Sequence, residues 1–241
     1  MLTRRHFIAT SGALFSGALP AFAQEDPLVE ETVVEEAVTE APTVEVAAPR
    51  PPKSDPAMWD TWDARVTPAN YNPATSNPWG FHPRFLPQLV DANDGLTPGD
   101  IHVDAVARYL YHIRADGSAM RYGVAIARGN LYEPGTYTIR RKRKWPTWRP
   151  TDAMIERDPG QYKQHENGMD GGPSNPLGSR ALYLYVGNRD TYLRIHGTPS
   201  PRSIGGRASS GCVRMVMAHI IGLYDQVQTG STAYLYAPEV A

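Results

Sequence analysis

Between Ile101 and Tyr236 the chain repeats short runs in which β-branched and aromatic residues alternate with polar ones, and only one window has helical spacing. Alternation with a period of two buries one face of an extended strand, so a chain built from such runs is expected to fold mainly as β-sheet. The runs IHVDAVARYLYHIR and AMRYGVAIAR flank Asp116-Gly117, a dipeptide suited to a hairpin turn. Further strands are expected over 135–141, 181–186, 192–196 and 232–236. The exception is 215–227, where Val216, Ile220, Leu223, Tyr224 and Val227 share one helical face. A helix there would begin just after Cys212, whose thiol would feel the positive end of the helix dipole.

The first 56 residues follow different rules. Residues 1–23 carry Arg4-Arg5, then an apolar run from Phe7 to about Leu19, then Ala21-Phe22-Ala23. This is the pattern of a signal peptide of twin-arginine type, too short to span a membrane comfortably, with cleavage expected before Gln24. Residues 24–49 hold eight acidic side chains and no Lys or Arg, and no aromatic residue lies between Gln24 and Trp59. Such a segment cannot bury enough apolar area to offset its ordering entropy, so 24–56 reads as a flexible acidic, Pro-rich tether. Residues 57–98, rich in Pro, Asn and Trp, show neither period and read as an irregular wrap around one main domain, 99–238. From Ala57 onward 20 Lys/Arg stand against 16 Asp/Glu, a surplus of four cations. That is too small for a nucleic-acid footprint and compatible with an anionic wall or membrane neighbourhood.

A long insertion, about 143–179, separates two of the expected strands, and insertions of this length in a compact domain are usually functional. Trp145 and Trp148, flanked by prolines, either stiffen a flap over a cleft or form satellite core. If they cover a cleft, Trp148 is expected to meet substrate. The basic run Arg140–Lys144 is either a solvated strand edge or a patch for an anionic surface.

Cys212 is the one cysteine, which excludes an internal disulfide and every multi-cysteine metal site. A lone thiol is a buried apolar filler or a nucleophile, and its neighbours decide between the two. Sixteen residues earlier, His196-Gly197-Thr198 ends an expected strand, and Ser209-Ser210-Gly211 leads into the cysteine. Cysteine–histidine catalysis needs a base near the thiol and a turn that presents amide donors to a developing oxyanion, and Gly211 permits such a turn. Among the other histidines His219 competes most directly, being close to Cys212 in sequence, while His6, His82, His102, His112 and His165 lie farther off.

The two segments resemble the signature of the L,D-transpeptidases, the YkuD-domain family: His-Gly-Thr, a gap of about fifteen residues, then Ser-His-Gly-Cys-hydrophobic-Arg/Asn. The resemblance extends over about residues 98–238 and includes the Gly171–Leu184 run and Leu223-Tyr224. It departs at Ser210, where many members carry a second histidine. The resemblance implies a β-sandwich with one main helix after the cysteine and a long flap loop. It also implies a two-step acyl transfer on a peptidoglycan stem peptide, without cofactor or metal. Cys212 would attack the carbonyl of the diamino acid, expel D-alanine and hold a thioester, with His196 as base and Gly197 orienting it through its carbonyl. Gly211 and Ser210 would support the oxyanion, while Ser209 and Arg214 would meet the stem, although Arg214 suits a structural salt bridge equally well.

The acceptor decides the output. An amine gives a 3→3 cross-link or attachment of an outer-membrane protein, and water gives a carboxypeptidase. A catalytically silent wall-binding module is the reading from another class, for which loss of Cys212 or His196 would have been the signature. The expected partners are stem peptides and such an amine, with no nucleic acid, the chain being a monomer exported to the periplasm.

Overall fold

Alternating apolar side chains in the C-terminal two thirds of the chain form eleven strands in a computed structural model, which describes residues 50–238. The expected signal peptide and the acidic stretch to residue 49 lie outside the described residues. The strands are β1 (Gln88–Asp91), β2 (Ile101–Asp104), β3 (Tyr109–Ile113), β4 (Ser118–Gly123), β5 (Ile126–Ala127), β6 (Gly135–Lys144), β7 (Arg180–Val186), β8 (Arg189–Thr198), β9 (Arg207–Ser209), β10 (Val213–Val216) and β11 (Thr232–Leu235). Nine of them make one mixed sheet in the order β1-β4-β3-β2-β11-β6-β7-β8-β10, and β5 pairs with β9 in a second. The protein is mainly β, as the alternation requires.

The large sheet bends back on itself. Ala125, just beyond β4, exchanges two backbone hydrogen bonds of 2.8 and 2.9 Å with Arg214 on β10, although these strands stand near opposite ends of the sheet order. The main core cluster holds Val103, Leu110, Ile139, Leu182, Ile195 and Met215 fully buried, and a second, smaller cluster gathers Phe81, Phe85, Leu86, Ala125, Ile204 and Val216. Helix α4 (Met217–Gln226) packs against β7, β8 and β10 and buries Ile220 and Leu223.

Three expectations are corrected. The helix starts at Met217, not near Met215, because Val213–Val216 form a strand parallel to β8. Four consecutive, largely buried residues satisfy either period, and the register with β8 settles the matter. The wrap, expected to be irregular, contains helix α1 (Trp59–Val66) and the edge strand β1. Neither has enough apolar positions to show a period: no residue of α1 or β1 is buried. The expected single helix is joined in the insertion by α2 (Asp152–Arg157) and α3 (Pro159–Tyr162), whose caps are side chains of Thr151 and Asp158 accepting from the N–H groups of Met154 and Gln161. Local capping rather than an apolar stripe defines these short helices.

α1 is held by charge. Asp63 receives two hydrogen bonds from the Arg180 guanidinium, at 2.6 and 2.9 Å, and one from the Trp145 indole at 3.0 Å. The Arg180 side chain is only 3% exposed, so the pairing with Asp63 offsets a desolvation cost of several kcal/mol.

Candidate active site

β8 is buried along its second half, from Leu193 to Thr198, and delivers His196 to the wall of a cleft of about 850 Å³. The parallel strand β10 aligns Arg214 with His196, so Cys212, one residue before β10, falls beside the same end of β8 and lines the same cleft. Two consecutive structural decisions therefore bring together residues sixteen apart in sequence: the direction of β10 and the turn that leads into it.

That turn is shaped by Ser209 and Gly211. Ser209 Oγ accepts from the Gly211 N–H at 3.4 Å and donates to the Cys212 carbonyl at 2.5 Å. Gly211 has φ +142°, and a Cβ there would lie 3.3 Å from Leu193 Cδ2, so both backbone and space favour glycine. The Cys212 thiol donates to the Tyr192 carbonyl at 3.7 Å. Tyr192 holds φ +61°, a left-handed conformation that a bulky residue rarely adopts, and it is an exposed residue lining the cleft.

The His196 imidazole has a fixed orientation. Its Nδ1 lies 2.6 Å from the Gly197 carbonyl, which can only accept, so Nδ1 carries the proton and Nε2 is the free lone pair. Gly197 is held by a close backbone approach: a Cβ on Gly178 would lie 2.8 Å from the Gly197 carbonyl carbon, and Gly178 itself has φ +62°. Asn175, fully buried, braces this loop by accepting from the Leu177 N–H at 2.9 Å and donating to the Asp170 carbonyl at 2.8 Å.

Electrostatically the pair rests neutral. Burial pushes the His196 pKa down to about 3; the Arg214 and Arg194 charges add to the shift, and the Gly197 and Leu177 carbonyls oppose it. Burial raises the Cys212 pKa above its ordinary value, against hydrogen bonding to the Arg194 backbone and the charges of Arg194 and Arg214. The thiol is reachable from the cleft, yet crowded closely enough by protein to lose most of its solvation. The expected helix-dipole activation does not apply: β10 intervenes, four residues or about 13 Å of strand, and the dipole's influence fades within the first turn.

The two arginines differ. Arg194 is paired with Asp190 at 2.7 and 2.9 Å and lies 4.0 Å from the centroid of the Tyr183 ring. Arg214 has no carboxylate within salt-bridge distance among the described residues, its Nε is buried without a partner, and it lines the cleft. The insertion closes the other side of the cleft through Trp148, Met154, Gln161, Tyr162 and His165. Its two tryptophans part company: Trp145 is fully buried and packs on Trp62 at 5.3 Å, whereas Trp148 faces the cleft. In the basic run, Lys142 bonds the Tyr224 and Val227 carbonyls, while Arg140, Arg141, Arg143 and Lys144 are exposed.

His219 is elsewhere. It is 2% exposed and surrounded by Tyr71, Trp79, Phe81 and Tyr122, with no partner on either ring nitrogen. His82 caps a short 3-10 helix (Pro83–Phe85), His102 and His112 sit on β2 and β3, and His6 lies outside the described residues. Tyr162 and Tyr192 were missed in the sequence. No local pattern marks either, since Tyr192 meets the Cys212 thiol and Tyr162 meets Ser210 only through tertiary structure.

Residues 98–235 match the family described as the YkuD L,D-transpeptidase catalytic domain. A Fuscovulum blasticum protein named as an L,D-transpeptidase is 33% identical over 144 residues, 58% of this chain and 71% of that one. The Escherichia coli protein named "Probable L,D-transpeptidase YbiS" is 28% identical over 148 residues, 61% of this chain but 47% of that one, so the match spans about half of that relative. A solved Brucella melitensis chain, described as a probable carnitine operon oxidoreductase, is 47% identical and covered over 98% of its length, 68% of this chain, with a TM-score of 0.45.

Proposed function

The chain belongs to the YkuD family of L,D-transpeptidase catalytic domains, and from that premise we propose that it transfers an acyl group from a peptidoglycan stem peptide through a thioester on Cys212. One observation carries the reading: the Gly197 carbonyl fixes the imidazole tautomer of His196 so that its basic nitrogen is free, in the same cleft as the only thiol. A neutral imidazole and a neutral thiol suit general-base catalysis, in which the proton leaves sulfur as sulfur attacks the carbonyl. The amine of the departing D-alanine then takes that proton from His196. Arg214, lacking an acid of its own, is the group for a stem carboxylate, and Trp148 gives the stem an apolar wall. Gly211 and Ser210 border the site where the oxyanion would develop. In the second step an amine of another stem, or of an outer-membrane protein, attacks the thioester.

The reading extends to the whole chain: a cleaved export signal over 1–23, a tether over 24–56, and a monomeric enzyme working in the periplasm. The experiment is digestion of intact peptidoglycan by purified protein, with products identified by mass, alongside intact-mass measurement of the protein with a tetrapeptide donor. An adduct on wild type that is absent from Cys212→Ala, with new 3→3 dimers, is the expected result. An adduct that persists on Cys212→Ala places the nucleophile elsewhere.

A further inference from the structure

The insertion touches the nucleophile turn at one hydrogen bond. Tyr162, the last residue of α3, is 6% exposed although it belongs to an insertion, and its hydroxyl lies 2.8 Å from Ser210 Oγ. Arg128 Nη2 reaches the same oxygen from the end of β5, at 3.5 Å. Ser210 is thus tied on one side to the sheet and on the other to the flap. No other hydrogen bond joins residues 145–179 to the turn 209–212 among the described residues.

The remainder of the flap is organised behind this contact. The Tyr162 ring leans on Trp148, with centroids 6.3 Å apart and planes at 57°. Trp148 is bound within the flap by reciprocal backbone hydrogen bonds with Met169, of 3.1 and 2.6 Å. Asp158 caps α3, and Pro159 at its first turn fixes the direction in which Tyr162 is presented. With serine at position 210, where the resembling motif carries histidine, the longer polar group on this side of the thiol comes from the flap.

We infer that Tyr162 is a specificity-determining positioning residue: by latching the flap onto Ser210, it sets whether the Cys212 thioester passes to an amine or to water. The inference rests on the acyl-transfer reading given above. Either acceptor forms a bond to the carbonyl carbon while the carbon–sulfur bond breaks. The sulfur leaves as thiolate and regains the proton that the acceptor gives up through His196. An amine yields an amide, and water yields a free carboxylate. A latched flap keeps bulk water from the thioester while the open end of the cleft admits the second stem. Release of the latch lets α2 and α3 lift and wets the carbon under attack.

Tyr162→Phe removes one oxygen and leaves the ring in place, so it tests the latch with little risk to folding. With a tetrapeptide donor and a D-amino acid as amine acceptor, the ratio of hydrolysed to amide product should rise about fivefold, the scale of one neutral hydrogen bond. Ser210→Ala also frees Arg128 but should raise the ratio likewise, and the double variant should exceed Ser210→Ala by nothing, because both changes remove the same Tyr162–Ser210 hydrogen bond. In the free protein, hydrogen exchange at the Trp148 and Met169 amides should quicken in Tyr162→Phe by a similar factor. The inference is overturned if partition and exchange both stay at wild-type values in Tyr162→Phe, or if the two single effects multiply in the double variant. A wild type that forms no Cys212 thioester overturns the acyl-transfer reading instead, and the exchange measurement still decides the latch.

Discussion

His196 and His219 are buried to nearly the same degree, and loss of water pushes both imidazoles down to a pKa of about 3. Their surroundings are opposite. His196 gives its Nδ1 proton to a carbonyl and keeps a free nitrogen in a cleft that also holds a thiol. His219 sits among four aromatic rings with both nitrogens unpartnered. A depressed pKa therefore does not identify a base; the direction in which the free lone pair points does. Proximity in sequence misleads in the same way, since His219 is seven residues from Cys212 and His196 sixteen.

Exchanging the two residues' fates is the strongest way to break this comparison. His196→Ala should slow thioester formation by at least about 10²-fold, the scale of a positioned proton-transfer group, whereas His219→Phe should leave it within about threefold. Single-turnover acylation measured by mass decides; the reverse pattern would falsify the assignment of the base. The next effect lies in stability. The folded pKa of His219 is below its unfolded value of about 6.5, so the native state keeps it neutral while the unfolded chain takes up a proton as pH falls. The stability associated with neutral His219 is complete above about pH 6.5 and is lost progressively as pH falls towards 3, by about 2 kcal/mol at pH 5. His219→Phe should abolish that share of acid sensitivity, so its advantage over wild type in denaturant melts should widen between pH 7 and pH 5; a constant gap would show that the residue is solvated.

Smaller effects sharpen the His196 side. In Gly197→Ala the new Cβ would lie 3.1 Å from Ser179 N and 3.3 Å from Met217 Cγ, forcing the carbonyl that orients the imidazole to move. Acylation should fall about tenfold, a shift of roughly 1.4 kcal/mol in the barrier, with a smaller change in melting temperature. Unaltered acylation would show that the tautomer is fixed by another group. The smallest expected effect is none at all: because the pair rests neutral, wild type and His196→Ala should both lack the ultraviolet thiolate band at pH 7. A band in wild type that vanishes in the variant would reveal an ion pair and reverse the proton order.

The sequence made the geometry of the site legible where residues are arranged by their own neighbouring backbone. His196-Gly197 and Ser209–Cys212 are such cases, because a carbonyl one residue away and a turn of four residues are local. Strands with clear alternation, such as β6 and β8, were readable for the same reason. β10 was not, since four largely buried residues before a helix fit either period and only β8 selects the strand. The dipole argument failed with it. Trp145 and Trp148 read alike in sequence and diverge because Asp63, more than eighty residues earlier, captures one indole. Tyr192, Tyr162 and the unpaired state of Arg214 depend on partners distant in sequence, which composition and spacing do not encode.

β11 lies in the middle of the large sheet, between β2 and β6, and comes from residues 232–235. Among the described strands, this central one is the last that a ribosome makes. Until those residues emerge, no strand bridges β2 and β6. Pairing β2 with β11 closes a span of more than 130 residues, which is slow compared with hairpin formation. The two halves of the sheet, β1-β4-β3-β2 and β6-β7-β8-β10, are thus bridged at their centre only after residues 232–235 are made, later than the segments that carry His196 and Cys212.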